Sequence, residues 1–130
     1  MGVMQDDGRA AAILGRKASG LLAHDETLAE LADADCADAL AAVIAERMRL
    51  RQELVTRALE AESDEAISVM CAAAGFRLNS YSALLRMRRR RHLGGAVAPT
   101  KALTFFSSLT RASAEKLLPR LVAELLGSAR

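Results

Sequence analysis

The chain has 130 residues, 52% of them hydrophobic but only 3% aromatic, and carries a formal net charge of +2. That length suits a single domain with one modest core, and much alanine with few β-branched or aromatic residues favours helices over strands. Two lone cysteines, Cys36 and Cys71, exclude a disulfide framework, and no apolar run approaches the roughly 18 residues of a membrane span.

The expected fold is therefore all-α, a compact bundle of six or seven short helices forming one domain over residues 1–130. The start lacks the basic stretch and continuous apolar block of a secretory signal, and Asp6 breaks the myristoylation pattern that Met1-Gly2 begins. The expected location is the cytoplasm.

In "DDGRAAAILGRKASGLLA", Ile13, Leu14, Leu21 and Leu22 recur at helical spacing. Gly15 and Gly20 each cost about 1 kcal/mol against alanine, so residues 1–24 are expected as a loosely ordered N-terminal helix. "HDETLAELAD" follows, with Asp25 as its expected N-cap and Leu28 and Leu31 as a narrow apolar edge. From Asp35 to Ala61 there is no glycine or proline, and Leu40, Ile44, Met48, Val55 and Leu59 form one stripe. The segment "ERMRLRQE" dilutes that stripe, so a break near Arg49 would divide the helix in two.

Ser63 or Asp64 is positioned to cap "DEAISVMCAAAG", where Gly75 is the natural left-handed stop. Asn79 or Ser80 is expected to cap "SYSALLRMRRRRH", with Gly94-Gly95 ending that helix and "GGAVAPT" forming a loop. Thr100 opens "KALTFFSSL", Thr110 caps "RASAEKLLPRLVAELLG", and Gly127 ends it. Pro119 should kink or split this last helix, because it lacks a donor and its ring crowds the preceding turn.

Charge is distributed unevenly. Residues 1–65 hold 7 Lys/Arg against 14 Asp/Glu, a net of −7, whereas residues 66–130 hold 11 against 2, a net of +9. Either the halves neutralise each other, within the fold or in a homodimer, or one of them meets an external partner. "LLRMRRRRHLGG" concentrates the basic charge. On a helical wheel Arg88 falls in the middle of the apolar face set by Tyr81, Leu84, Leu85 and Met87. That placement predicts a core contact ending near Met87, with the last turn projecting as a cationic tip. Arginine binds carboxylate and phosphate in bidentate geometry, so the tip suits docking of an acidic segment; a solvated helix end gives the same pattern.

Phe105, Phe106 and Leu109 are the largest apolar cluster. Adjacent rings cannot share one helix face, so one should enter the core and the other face a partner, unless both wedge between the terminal helices. The candidate partner-binding residues are thus Arg86, Arg88, Arg89, Arg90, Arg91, Phe105 and Phe106.

Signals for catalysis are poor. His24 and His92 are the two histidines, and neither is paired with a cysteine or carboxylate at metal-ligand spacing. No glycine-rich loop leads into Lys-Ser/Thr, and Asp6-Asp7 and Asp64-Glu65 read as helix starts. No enzyme activity, cofactor or metal is expected. "VMCAAAGFRLNSYSALLRMR" has the outline of a helix-turn-helix, with Cys71 in the small slot and Gly75 in the turn. Under that alternative, helices 64–75 and 80–92 bind DNA, and Arg77, Asn79, Ser82, Ala83 and Arg86 face the major groove.

"LVTRALEAESDEAISVMCAAAGFRLNSYSALLRMR" followed by "ALTFFSSLTRASAEKLLPRL" resembles the C-terminal part of an alphaproteobacterial helical family, domain of unknown function 2336. The likeness covers roughly residues 50–125, and the short length and full arginine run depart from it. It implies HEAT-like helix pairs acting as a scaffold for another protein, with no catalytic residue and no cofactor. The expected function is therefore a regulatory interaction module. Its partner would be a protein with an acidic or helical segment; nucleic acid is the alternative and a membrane is not expected.

Overall fold

The computed structural model describes residues 2–93 and 99–127. Among them are eight helices and no strands: α1 (Gly2–Ala18), α2 (His24–Asp33), α3 (Ala37–Met48), α4 (Gln52–Glu60), α5 (Glu65–Ala73), α6 (Leu78–Arg90), α7 (Pro99–Ser108) and α8 (Arg111–Gly127). The all-α class is as expected, and the helix count exceeds six or seven because the long segment does break at Arg49.

α5 sits at the centre. Every residue from Ala66 to Ala73 is buried, which a helix achieves only when apolar all round. Its alanines, Cys71 and Ser68 are small, so α3, α4, α7 and α8 can close around it. The one hydroxyl in that face, Ser68 Oγ, bonds the buried phenol of Tyr81 from α6. The most extensive helix pairs are long-range, α2 with α6 and α5 with α8; among consecutive helices α3 packs most on α4. Leu28, Leu31, Leu40, Ile44, Val55, Leu59, Ile67, Met70, Leu84 and Met87 fill the space between them. α1 lies outermost, held chiefly by α2 through buried Ile13.

Five helices stop in the same way. After each, one residue turns left-handed: Gly20 after α1, Asp35 after α2, Arg49 after α3, Gly75 after α5 and His92 after α6. Each donates its N–H three residues back, and the next N–H reaches five back, as Leu50 to Ala45 at 2.9 Å and Phe76 to Cys71 at 3.0 Å. This Schellman pattern satisfies carbonyls that the helix end leaves bare. Gly20 and Gly75 adopt it freely, whereas Asp35, Arg49 and His92 carry the steric penalty of a Cβ at positive φ. α6 has thus ended before Gly94 and Gly95, which with the rest of 94–98 lie outside the described residues.

Two expected caps differ from those found. α2 starts after Ala23, whose N–H donates to the Glu26 carboxylate at 3.1 Å. Asp25 instead serves α6: its Oδ1 accepts the Arg77 N–H and the Ser80 hydroxyl, both at 2.7 Å. With those donors taken by α2, α6 begins at Leu78 and needs neither Asn79 nor Ser80 as N-cap. Thr110 does cap α8, exchanging reciprocal bonds with Ser113 at 2.9 and 3.0 Å. Pro119 does not split α8; it lies on the exposed side, where water can take the carbonyl it leaves unbonded.

Since exposed Arg49 makes no side-chain bond among the described residues, Arg49→Gly should relieve strain at no cost in contacts. A gain of about 0.5–1 kcal/mol is expected, seen as a higher urea midpoint with unchanged slope. Gly75→Ala has open space for its Cβ but the wrong φ, so it should lose about 1–2 kcal/mol in the same assay.

Candidate functional site

The arginine run does not form a projecting tip. Arg88 is buried, 3% exposed, and points between α4 and α5. Its Nε donates to the Leu59 carbonyl at 2.9 Å and its Nη2 to the Ala61 carbonyl at 2.8 Å, while Nη1 pairs with the Asp64 carboxylate. Those carbonyls are the bare end of α4, which closes at Ala61 in extended rather than left-handed geometry. A guanidinium, with five donors in a rigid fork, can satisfy both carbonyls and a carboxylate together. Arg88 therefore lies on the apolar face as the wheel indicates, but the core continues around it instead of ending at Met87.

Neighbouring arginines fasten the other side of α6. Arg90 Nη2 donates to the Ala32 carbonyl at 2.8 Å and its Nε to Asp35 at 3.0 Å, while Arg91 Nη1 reaches the Asp35 carbonyl at 2.9 Å. These bonds close the end of α2, where the helix dipole favours cations. Arg86 lies 3.8 Å from Asp33 and donates to Ser82 at 3.0 Å. Arg89, exposed, is the one arginine of the five with no bond or ion pair among the described residues.

The phenylalanines separate as adjacent helical residues must. Phe106 is buried and stacks on Tyr81, with ring centroids 4.3 Å apart and planes at 13°. Half-buried Phe105 lines an open cleft of about 220 Å³ with Ser63, Asp64, Glu65, Lys101 and Ala102. A smaller pit of about 30 Å³ adjoins it, sharing Asp64 and Ala102 and lined also by Leu85, Arg88, Arg89, Leu93 and Pro99. The structure thus brings Arg89 and Phe105 to one surface, where the Arg88–Asp64 pair is the floor. It places Arg86, Arg90 and Arg91 against α2 and Phe106 inside. Lys101 joins the rim without having been singled out in the sequence, because an isolated lysine beside a proline-led helix carries no pattern.

The helix-turn-helix outline is present as α5, the Gly75 turn and α6, but the proposed reading residues do not share a free face. Ala83 is buried and Ser82 half-buried. Arg77, its side chain 87% exposed, lies 3.8 Å from Asp25, and Arg86 faces Asp33. The carboxylates of α2 therefore run along the side that a DNA phosphate chain would approach, and only Asn79 stands exposed without a carboxylate partner.

His24 leans on Phe76 with centroids 5.3 Å apart, and its buried Nε2 lies 3.9 Å from Asp25 Oδ2 with no hydrogen-bond partner among the described residues; His92 forms the left-handed turn after α6. No cluster of three metal-ligating side chains occurs among the described residues, and no helix there is long and apolar enough to cross a membrane. Cys36 and Cys71 are both buried. Burial pushes the Cys71 thiol well above its ordinary value of 9.0, against the pull of nearby Arg88. Burial likewise raises the Tyr81 phenol above 10.0, although the Ser68 hydrogen bond lowers it. Comparison with family models, curated proteins and solved structures finds no match to this chain.

Arg88→Ala leaves Asp64 and two helix-end carbonyls without their donor, so it should destabilise by about 3–5 kcal/mol. Arg88→Lys should recover little, because one ammonium cannot span three acceptors, and Arg89→Ala should stay within about 0.5 kcal/mol. Urea unfolding of the three variants separates the buried arginine from the free one. A second expectation concerns alkali. Above pH 9.0 the unfolded chain releases protons that folded Cys71 and, higher still, Tyr81 retain. Stability should therefore fall as pH rises, by up to about 1.4 kcal/mol per pH unit for each group. Cys71→Ala should flatten the first part of that decline in pH-dependent denaturation.

Proposed function

We propose that this chain is a non-catalytic, cytoplasmic interaction module that holds another protein in the cleft between the α4–α5 turn, the end of α6, and α7. The observation that carries this reading is the pairing there of an apolar ring and a free cation. Phe105 is left half-buried beside open space, and Arg89 lines the adjoining pit with its charge unspent. The surrounding helices are tied by Arg88 and by the Phe106–Tyr81 stack, so the cleft is a rigid surface. An apolar contact set within a polar rim is how protein interfaces are built. The cleft's volume, below the roughly 300–1,000 Å³ of small-molecule sites, favours a side chain from a partner over a cofactor.

A helix-turn-helix function draws no support from α6, whose arginines are largely committed to α2 and α4. The docking surface proposed is accordingly narrower than the whole arginine run: Arg89, Lys101 and Phe105.

Affinity capture from cells expressing the protein tests the reading, with Phe105→Asp as the matched control and nuclease treatment in a parallel arm. A partner retained through nuclease treatment, and reduced about tenfold by Phe105→Asp, is the expected result. Capture that disappears with nuclease would instead favour the nucleic-acid alternative.

A further inference from the structure

The cleft's charge state allows the partner's chemistry to be narrowed, on the premise that this surface binds protein. Four charged side chains line the main cleft or the adjoining pit beside Arg88: Asp64, Glu65, Arg89 and Lys101. The two acids are already matched. Asp64 is held by buried Arg88, and Glu65 lies 3.0 Å from Arg120. The side chains of Arg89 and Lys101 make no ion pair or hydrogen bond among the described residues, and both are exposed. Exposed Glu62, on the same α4–α5 turn, does not line the cleft. The uncompensated charge of the rim is therefore positive, and it flanks an apolar wall of Phe105 and Ala102, with Leu85, Leu93 and Pro99 beyond.

We infer that the cleft recognises a peptide segment presenting a carboxylate within a few residues of one bulky apolar side chain. The apolar group packs on Phe105 in a space of about 220 Å³, which holds a single side chain. The carboxylate meets Arg89, whose planar fork accepts it in bidentate geometry, with Lys101 as a second point charge. A basic segment is disfavoured, because Arg89 and Lys101 would repel it while Asp64 and Glu65 are already paired with Arg88 and Arg120. A nucleic-acid strand fits poorly, because stacking platforms need several rings and Phe105 is the only aromatic ring among the described residues lining the cleft. Opposite charge at such a rim chiefly sets selectivity and encounter rate, while the ring supplies the apolar contact.

Selection from a random peptide library displayed on phage tests this directly, using the full chain and its Arg89→Glu/Lys101→Glu variant as parallel baits. On the unaltered chain, enriched peptides should carry Asp or Glu close to Leu, Ile, Met or Phe. On the variant the preference should invert to Lys or Arg, and an acidic peptide chosen on the unaltered chain should bind it at least about tenfold more weakly. Phe105→Ala should weaken binding while keeping the acidic preference. Thermal melts check that each bait is folded, and Arg89→Gln/Lys101→Gln, which should abolish the acidic preference, replaces the reversal if that variant melts early. Peptides that depend on Phe105 but show no acidic preference, or an identical set on both baits, would overturn the inference and leave the interaction reading standing. No enrichment on any bait would overturn the inference, and loss of Phe105-dependent capture from cells would then remove the interaction reading as well.

Discussion

A guanidinium stands where an apolar side chain would ordinarily lie, and the arrangement of three helices follows from it. Arg88 closes the bare end of α4 and holds Asp64 at the start of α5, all from the last turns of α6. The other early helices that end in a described turn use a left-handed residue to satisfy their carbonyls. α4 ends in extended backbone and receives its donors from a helix distant in sequence. Burying such a charge is costly in itself, and it persists because every acceptor around it is engaged. That bond set positions the α4–α5 turn against α6, and hence the floor of the cleft beside α7.

The same device recurs at lower stakes. Arg47 donates to the Ala74 carbonyl at the end of α5, Arg57 to the Leu125 carbonyl of α8, and Arg90 and Arg91 to the end of α2. Cations at helix C-termini meet both a bare acceptor and the negative end of the dipole. Acidic α2 and basic α6 accordingly face each other, with Asp25, Asp33 and Asp35 opposite Arg77, Arg86 and Arg90. The opposed charge of the two halves is thus matched in part inside one chain, through five ion pairs among the described residues. At the cleft, Arg89 and Lys101 keep their charge without an ion pair there.

Much of the architecture was legible in the sequence. Alanine content and apolar spacing indicated helices, Gly75 marked its turn, and Thr110 its cap, because each acts through local backbone chemistry. The left-handed stops at Asp35, Arg49 and His92 were harder to see: their strain is outweighed by an apolar residue that follows each one into the core or its edge, Cys36, Leu50 and Leu93. Arg88 shows the deeper limit. Its place on the apolar face was readable, yet the acceptors that make burial tolerable are main-chain carbonyls at residues 59 and 61, and no residue identity announces a carbonyl. Asp25 was recognised as a cap but assigned to its own helix, since only tertiary packing brings the start of α6 within its reach. For the candidate site, the Phe105/Phe106 division followed from helical geometry, whereas which arginine stays free depended on where α2 and α4 lie.

The position of α5 bears on how the molecule opens. Opening free energy rises with the packed apolar surface that must be exposed and with the bonds that must break. α1, leaning mainly on α2 through Ile13, has little to lose by detaching; α5, enclosed on all sides, cannot be exposed until its neighbours have parted. Amide protons should accordingly exchange in an ordered sequence, α1 first and α5 only with global unfolding. The cleft straddles that gradient, with Asp64 and Glu65 at the threshold of the slowest helix. An occupant binding only the folded chain would raise the free energy of global unfolding, so it would slow exchange in α5 itself, and in outer elements only where their opening disrupts the cleft.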